Sequence, residues 1–379
     1  MHEGKLQVLH MISGLGAGGA EHMLARLIAA TPEIRHSVFS VSGAGALTPQ
    51  IASSGGSLLG SAAGVSPRHR DFRLLASYCR RVKPEIIQGW MYHGNIAALY
   101  AKLLAPNAAL LWNIRQQLPP PSIASVPTKI LLKLHAKASG IPRAIIYNSV
   151  TAAESHESVG VRQASRVLLP NGFDVDLYHP DEAARRQTRD QLGLQENDVA
   201  IGLVARFDPW KNHAAFFRVA RRLLSTWPNV KFILAGNGTE ASNPEIQALI
   251  PPAVQPRLRL LGDRRDMPSL LPALDIACNV SLGEGFPNAV GEAMACGVPN
   301  VVTPVGSSKY LVSDCGLVAD GVDEESIYSA LDKMLSYSSS QRRALGARSR
   351  ERIVSEFSIK SVARQYTHLY EKIRSGASI

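Results

Sequence analysis

Two carboxylates, Glu284 and Glu292, stand with seven residues between them inside the segment SLGEGFPNAVGEAMACGVP at residues 281–299. Glu284 lies in a glycine-flanked loop. Glu292 falls inside a helix, for which Pro287 suits the first position and Gly297 then Pro299 form the stop. Carboxylates only accept hydrogen bonds, so they match the hydroxyls of a polyol and not a phosphate. The amide groups at the start of that helix, around Asn288 and Ala289, favour phosphate instead. One segment therefore offers both kinds of recognition. Glu292 alone would also serve as an ordinary helix-surface residue; Glu284 between two glycines is harder to explain that way.

Two cations form a second group. Arg206 and Lys211, in residues 206–213, follow a strand at 199–204, and Asn212 is placed to cap the next helix. Open α/β sheets bind ligands at the carboxyl ends of their strands. Two cations beside a positive helix end repel unless they share an anion, and a diphosphate supplies one. The competing reading is a pair of solvated surface charges. A third group is the glycine-rich run at 13–21, where Gly14, Gly16 and Gly19 satisfy G-x-G-x-x-G. A dinucleotide site also needs an acidic residue at the end of the second strand. That strand, 36–41, is followed by Ser42-Gly43-Ala44-Gly45, and Glu33 precedes it, so dinucleotide binding is disfavoured. What remains is a tight turn, or a loop whose amides, including those of Gly18 and Gly19, face an anion or substrate.

The elements that must hold these groups alternate between short apolar runs and helical periods. Residues 6–12 read as a buried strand, and Ala20, Met23, Leu24, Leu27 and Ile28 recur at helical spacing after it. Further strands are expected at 36–41, 85–88, 109–114, 144–148 and 166–169. Turn residues at 169–174 break the pattern. A new alternation then begins, with strands at 199–204, 231–234, 257–261, 275–280, 300–303 and 316–319. The expectation is α/β, with two doubly wound parallel sheets divided near residue 175. A last helix, 358–374, carries Val362, Tyr366, Leu369, Tyr370 and Ile373 on one face.

Composition narrows the class. The 379 residues suit two domains, with 45% hydrophobic and 19% charged residues. Four scattered cysteines exclude a disulfide framework or a C-x-x-C metal module and suggest buried thiols in a reducing compartment. No apolar run reaches the ~18 residues of a membrane span, and the first nine residues do not read as a signal peptide. A cytoplasmic protein, or one peripheral on a membrane, is expected. The net charge of +10, concentrated in the first half, suits an anionic partner or simply solubility.

The 281–299 segment resembles the E-x(7)-E signature of retaining GT-B glycosyltransferases (glycosyltransferase family 4, glycosyl transferases group 1), a family with many bacterial polysaccharide and lipopolysaccharide enzymes. The run 18–21, residues 169–174, Arg206 with Lys211, residues 234–238, and residues 261–262 before Met267 occur in the family's order. The resemblance implies two Rossmann-like domains: residues 1–172 for the acceptor, completed by helix 358–379, and residues 175–357 for a nucleotide-diphosphate sugar. It implies that Arg206 and Lys211 hold the donor diphosphate, that Glu284 binds the donor sugar and that Glu292 binds the ribose. Backbone near Gly262 and Arg264 would face the base. Gly18, Gly19, Gly285, Phe286, Asn288 and Ala289 complete the donor set. His93, in residues 90–95, resembles the family histidine near the reacting sugar; a satisfied histidine at a strand end is the plainer reading. Transfer with retention from a UDP-linked hexose or N-acetylhexosamine is implied, with no cofactor and no metal. The chain departs from the family at 303–310, where an acidic residue and a Gly-Gly-x-x-Glu stretch are usual.

A stripe of Lys129, Lys133 and Lys137 marks a helix in the first domain, with Ile130, Leu131 and Leu134 beside it and a proline-rich loop before it. Like charges at this spacing repel by about 0.2–0.5 kcal/mol per pair. An anionic membrane surface would relieve that and bring a glycan or polyprenyl-diphosphate-linked acceptor within reach; an ordinary amphipathic helix packed on the sheet is the alternative. Two rival functions remain. A UDP-N-acetylglucosamine 2-epimerase-like enzyme would lack the Glu-Ala-Met-Ala helix. A nucleic-acid binder would need aromatics among the arginines, and aromatics are only 6%.

Overall fold

The computed structural model describes residues 4–16, 18–59, 69–118 and 126–379. Most of the proline-rich loop before the lysine stripe lies outside them. The chain divides into two compact units, residues 1–172 with 359–379 and residues 173–358.

The first unit holds seven parallel strands: β1 (Gln7–Ile12), β2 (Arg35–Ser40), β3 (Ser57–Leu59), β4 (Ile86–Trp90), β5 (Ala109–Ile114), β6 (Ala144–Tyr147) and β7 (Arg166–Leu168). Their order is β3-β2-β1-β4-β5-β6-β7. The central strands are buried along nearly their whole length, as expected of a sheet covered on both faces. One face packs Met23, Leu24 and Leu27 of the helix Gly19–Ala30 with Val362, Tyr366 and Tyr370 of the helix Ile359–Arg374. The other packs Leu75 and Cys79 with Ala98 and Ala101 of the helix Met91–Leu104. The strand β3 was not foreseen; it is three residues long, mostly exposed and at the sheet edge.

The closing helix is fastened by polar bonds as well as by its apolar face. Tyr366 Oη accepts from Asn113 Nδ2 at 2.9 Å and from Arg115 at 3.0 Å. Tyr370 Oη donates to Gln88 Oε1. Arg115 also donates to the carbonyls of Leu169 and Pro170, each at 3.0 Å.

The second unit holds β8 (Val199–Val204), β9 (Val230–Ala235), β10 (Leu258–Leu260), β11 (Ile276–Asn279), β12 (Asn300–Val302) and β13 (Leu317–Val318) in the order β10-β9-β8-β11-β12-β13. Two apolar layers, one around Phe286, Val290 and Met294 and one around Phe216, Phe217 and Phe232, cover its faces. All four cysteines are buried and unbridged. No helix among the described residues is long and apolar enough to cross a membrane.

Candidate functional site

Strand order decides where a ligand can enter. In each sheet the winding reverses once, between β1 and β4 and between β8 and β11, and in open α/β sheets the loops after such strands diverge to leave a crevice. Lys211 follows β8 and Glu284 follows β11, so the two groups flank the switch point of the second sheet.

They meet there. Lys211 Nζ lies 2.5 Å from Glu284 Oε1, with the side chains 20% and 10% exposed. The same oxygen accepts from Ser281 Oγ at 2.7 Å and Asn279 Nδ2 at 3.1 Å. Three donors therefore converge on one carboxylate oxygen. Among the described residues none donates to Oε2.

The loops are held by local chemistry. Asp208 accepts from the Trp210 amide at 2.9 Å and starts a short 3-10 turn, Pro209–Lys211. Trp210 O accepts from the Leu282 amide at 2.8 Å, and a Cβ on Gly283 would lie 2.4 Å from the Trp210 ring. Glycine is thus what lets the indole lie against the Glu284 loop. From the other side, Gly306 has φ +56°, and a Cβ there would sit 2.1 Å from Glu284 O. The Ser307 amide donates to Gly285 O at 3.0 Å, and Thr303 Oγ1 donates to Ser281 O at 2.7 Å. The segment 303–310, where the sequence departs from the pattern it otherwise resembles, is the floor of the Glu284 loop.

Several expectations are corrected. Asn212 occupies the N-cap of the helix His213–Leu223, yet its side chain caps nothing; its φ is +55° and its Nδ2 reaches Val322 O at 3.4 Å. Pro287 is the N-cap of the helix Asn288–Ala295 rather than its first residue. Gly297, at φ +73°, ends that helix as expected. Arg206 and Lys211 do not confront one another without a counter-charge. Arg206, 67% exposed, pairs with Asp208 at 3.1 Å, while Lys211 pairs with Glu284. Phe286 cannot offer its ring to a ligand, because that ring is buried between Phe173 and Phe357. Only its main chain faces the loop.

The remaining second-unit candidates lie at carboxyl ends of strands or on the Glu292 helix. Gly262 follows β10 at φ +63°, and its carbonyl accepts from the Gly236 amide at 2.8 Å. Arg264 is held by Asp266 through Nε at 2.7 Å, and that ion pair raises the arginine pKa. Asn288, Ala289 and Glu292 are half-buried, and the first turn of their helix precedes its own hydrogen-bond ladder.

In the first unit, Gly18 and Gly19 follow β1, and His93 follows β4, so they flank that sheet's switch point. Gly18 is the N-cap of the helix Gly19–Ala30, with the Glu21 carboxylate folded against it. His93 is exposed. Its helix starts abruptly: Met91 has φ +60°, a left-handed conformation for a bulky residue, of the kind that clusters at functional sites. A Cβ on Gly94 would lie 2.4 Å from Met11 O, so glycine is what brings this helix onto β1. Lys129, Lys133 and Lys137 are exposed on the helix Val126–Ala138, beside Ile130 at 55% and Leu134 at 52% exposure. That apolar stripe does not pack on the sheet; His135 does.

Comparison with known proteins agrees with this geometry. Residues 198–337 match the family model described as Glycosyl transferases group 1. The chain is 29% identical over 185 residues to the UDP-Gal:alpha-D-GlcNAc-diphosphoundecaprenol alpha-1,3-galactosyltransferase of Escherichia coli, covering 46% of this chain and 48% of that protein. It is 26% identical over 223 residues to the D-inositol 3-phosphate glycosyltransferase of Mycobacterium marinum, covering 56% and 47%. The chain thus spans about half the length of these curated relatives. Among solved structures, Anabaena HepE in complex with UDP superposes with a TM-score of 0.82 at 20% identity, over 97% of this chain and all of that one. Sucrose-phosphate synthase from Thermosynechococcus elongatus superposes with a TM-score of 0.79 at 19% identity, over 98% and all of that chain. The chain has the GT-B glycosyltransferase fold. Its second unit carries a glycosyl transferases group 1 domain.

Proposed function

We propose that the chain is a retaining glycosyltransferase that moves a sugar from a nucleoside diphosphate sugar, UDP-linked in the first instance, to a lipid-linked or glycan acceptor. The observation that carries this is the Lys211–Glu284 pair at the switch point, with Glu284 Oε1 saturated by three donors. Oε2 is then the acceptor for a donor-sugar hydroxyl. Arg206 and Lys211 hold the diphosphate, Lys211 keeping Glu284 Oε1 through one of its three N–H donors, and Glu292 takes the ribose. Gly262 and Arg264 face the base, while Gly285, Asn288 and Ala289 offer main-chain amides. No protein nucleophile is assigned: the acceptor attacks from the face the diphosphate leaves, and fixed cations stabilise the charge that develops on it. Such preorganised electrostatics are often the largest catalytic contribution. No metal or other cofactor is assigned a part, and His93 positions the reacting sugar.

The lipid-linked acceptor is supported by the E. coli relative's name and by the exposed lysine and apolar stripes of the helix Val126–Ala138. That helix is assigned to an anionic membrane surface on the cytoplasmic side. The test is nucleoside diphosphate release from a panel of UDP-, GDP- and ADP-sugars, with and without a membrane lipid extract. Release from one donor, stimulated by extract and lost in Lys211→Ala, supports the reading. No release and no donor binding refutes it.

A further inference from the structure

The first unit carries a second concave site, at the opposite edge of its sheet from His93. A recess of about 700 Å³ opens at the amino ends of β4 and β5, a size typical of small-molecule sites. Five cations converge on it from separate elements: Arg80 in the last turn of the helix His69–Val82, Lys83 just after it, Lys102, Arg143 and Arg374. The one carboxylate lining it, Glu85, is already engaged by Arg374 at 2.9 Å. The helices His69–Val82 and Met91–Leu104 end here, and each contributes a partial charge of about −0.5. Those ends and Glu85 together offset fewer than half of the five positive charges.

The cations are also held in place. Lys102 Nζ donates to the carbonyls of Pro106 and Ala108, both at 2.6 Å. Arg143 donates to Ala377 O at 2.8 Å. These bonds fix the side chains without cancelling their charge, which lowers the entropy lost on binding. Lys83 adds a separate observation. It occupies the position after a helix where glycine is the usual residue, and its φ is +50°. A lysine there keeps a strained backbone, of the kind that persists where surrounding structure over-determines it.

We infer that this recess is a binding site for a phosphorylated ligand, distinct from the switch-point site. Phosphoryl oxygens accept from several fixed donors at once and supply the missing charge. The phosphate is carried either by a small soluble molecule or by a lipid headgroup.

Arg80→Gln with Lys83→Asn tests it, since asparagine tolerates a left-handed backbone and neither residue belongs to the switch-point site. Inorganic pyrophosphate is titrated calorimetrically into the wild type, this double variant and Lys211→Ala at low ionic strength. The double variant should lose one binding equivalent that Lys211→Ala retains, and should keep its nucleoside diphosphate release. A second arm sediments the proteins with phosphatidylglycerol or phosphatidylcholine vesicles. Unchanged pyrophosphate binding with at least ~10-fold weaker binding to phosphatidylglycerol vesicles alone assigns the site to a headgroup phosphate. Wild-type behaviour of the double variant in both arms overturns the inference, whatever Lys211→Ala does.

Discussion

At the scale of single residues, the site is a problem of presenting one oxygen. Glu284 Oε1 is consumed by Lys211, Ser281 and Asn279, so the carboxylate cannot turn without breaking three bonds. Removing a charged donor that stabilises a developing anion costs about 10²–10³ in turnover. Lys211→Ala should fall in that range while remaining folded, as read by steady-state nucleoside diphosphate release beside circular dichroism. Gly306→Ala should act through geometry alone. It strains a φ of +56° and forces the Glu284 main chain away, so donor affinity should drop although no charge has changed; an affinity equal to wild type would show that the loop floor does not set Glu284. The types and spacing of Arg206, Lys211, Glu284 and Glu292 were legible from the chain itself. Their partners were not. That Arg206 turns to Asp208 is settled within one loop, and that Trp210 lies on Gly283 and Phe286 points into the core are outcomes of packing between segments distant in the chain.

At the scale of elements, strand–helix alternation was readable because both sheets are covered on two faces and their strands are continuous apolar runs. The exception was β3, whose three residues at a sheet edge carry too little pattern. The lysine-bearing helix Val126–Ala138 was readable as an amphipathic stripe, but which face it turns to solvent was not. The fold answers that by burying His135 against Trp112, with ring centroids 4.0 Å apart, and leaving Ile130 and Leu134 outside. Lys129/Lys133/Lys137→Glu should abolish sedimentation with anionic vesicles at low salt while leaving donor hydrolysis in solution intact. Undiminished sedimentation would remove the membrane role from this helix.

At the scale of the whole molecule, buried histidines govern the response to acid. Trp90 Nε1 donates to His10 Nδ1 at 3.1 Å, so His10 Nε2 carries a proton and donates to His36 Nδ1 at 2.9 Å. His36 Nε2 in turn meets Thr31 Oγ1 at 2.8 Å, and Thr31 donates to Leu27 O. A second set joins Tyr92 to His156 at 2.7 Å, with Asn95 on His135 at 3.0 Å. An added proton on His10 Nδ1 would face the Trp90 N–H, which can only donate. Burial holds His10 well below its ordinary pKa, takes His36 and His156 to about 4 and takes His135 to about 3. These groups are neutral in the folded chain and bind a proton on unfolding below the usual value of about 6.5. Stability is therefore complete above that pH and falls as pH drops toward 4. Each group with a folded pKa near 4 costs on the order of 2 kcal/mol by pH 5. The second unit has one comparable group, His213, taken by burial to about 4. Hydrogen exchange at pH 7.5 and 5.0 should show the first unit losing protection ahead of the second; loss in the reverse order contradicts this account. None of these networks was visible in the sequence, where His10 and Trp90 lie far apart and only the folded sheet makes them neighbours.

The account rests most heavily on Glu284 reading the sugar while Lys211 reads the diphosphate. The direct measurement compares affinities for the free nucleoside diphosphate and for its sugar-bearing donor in wild type and Glu284→Gln. The account predicts that the variant keeps the nucleoside diphosphate affinity and loses the increment the sugar adds. An unchanged sugar increment, or an equal loss for both ligands, contradicts it.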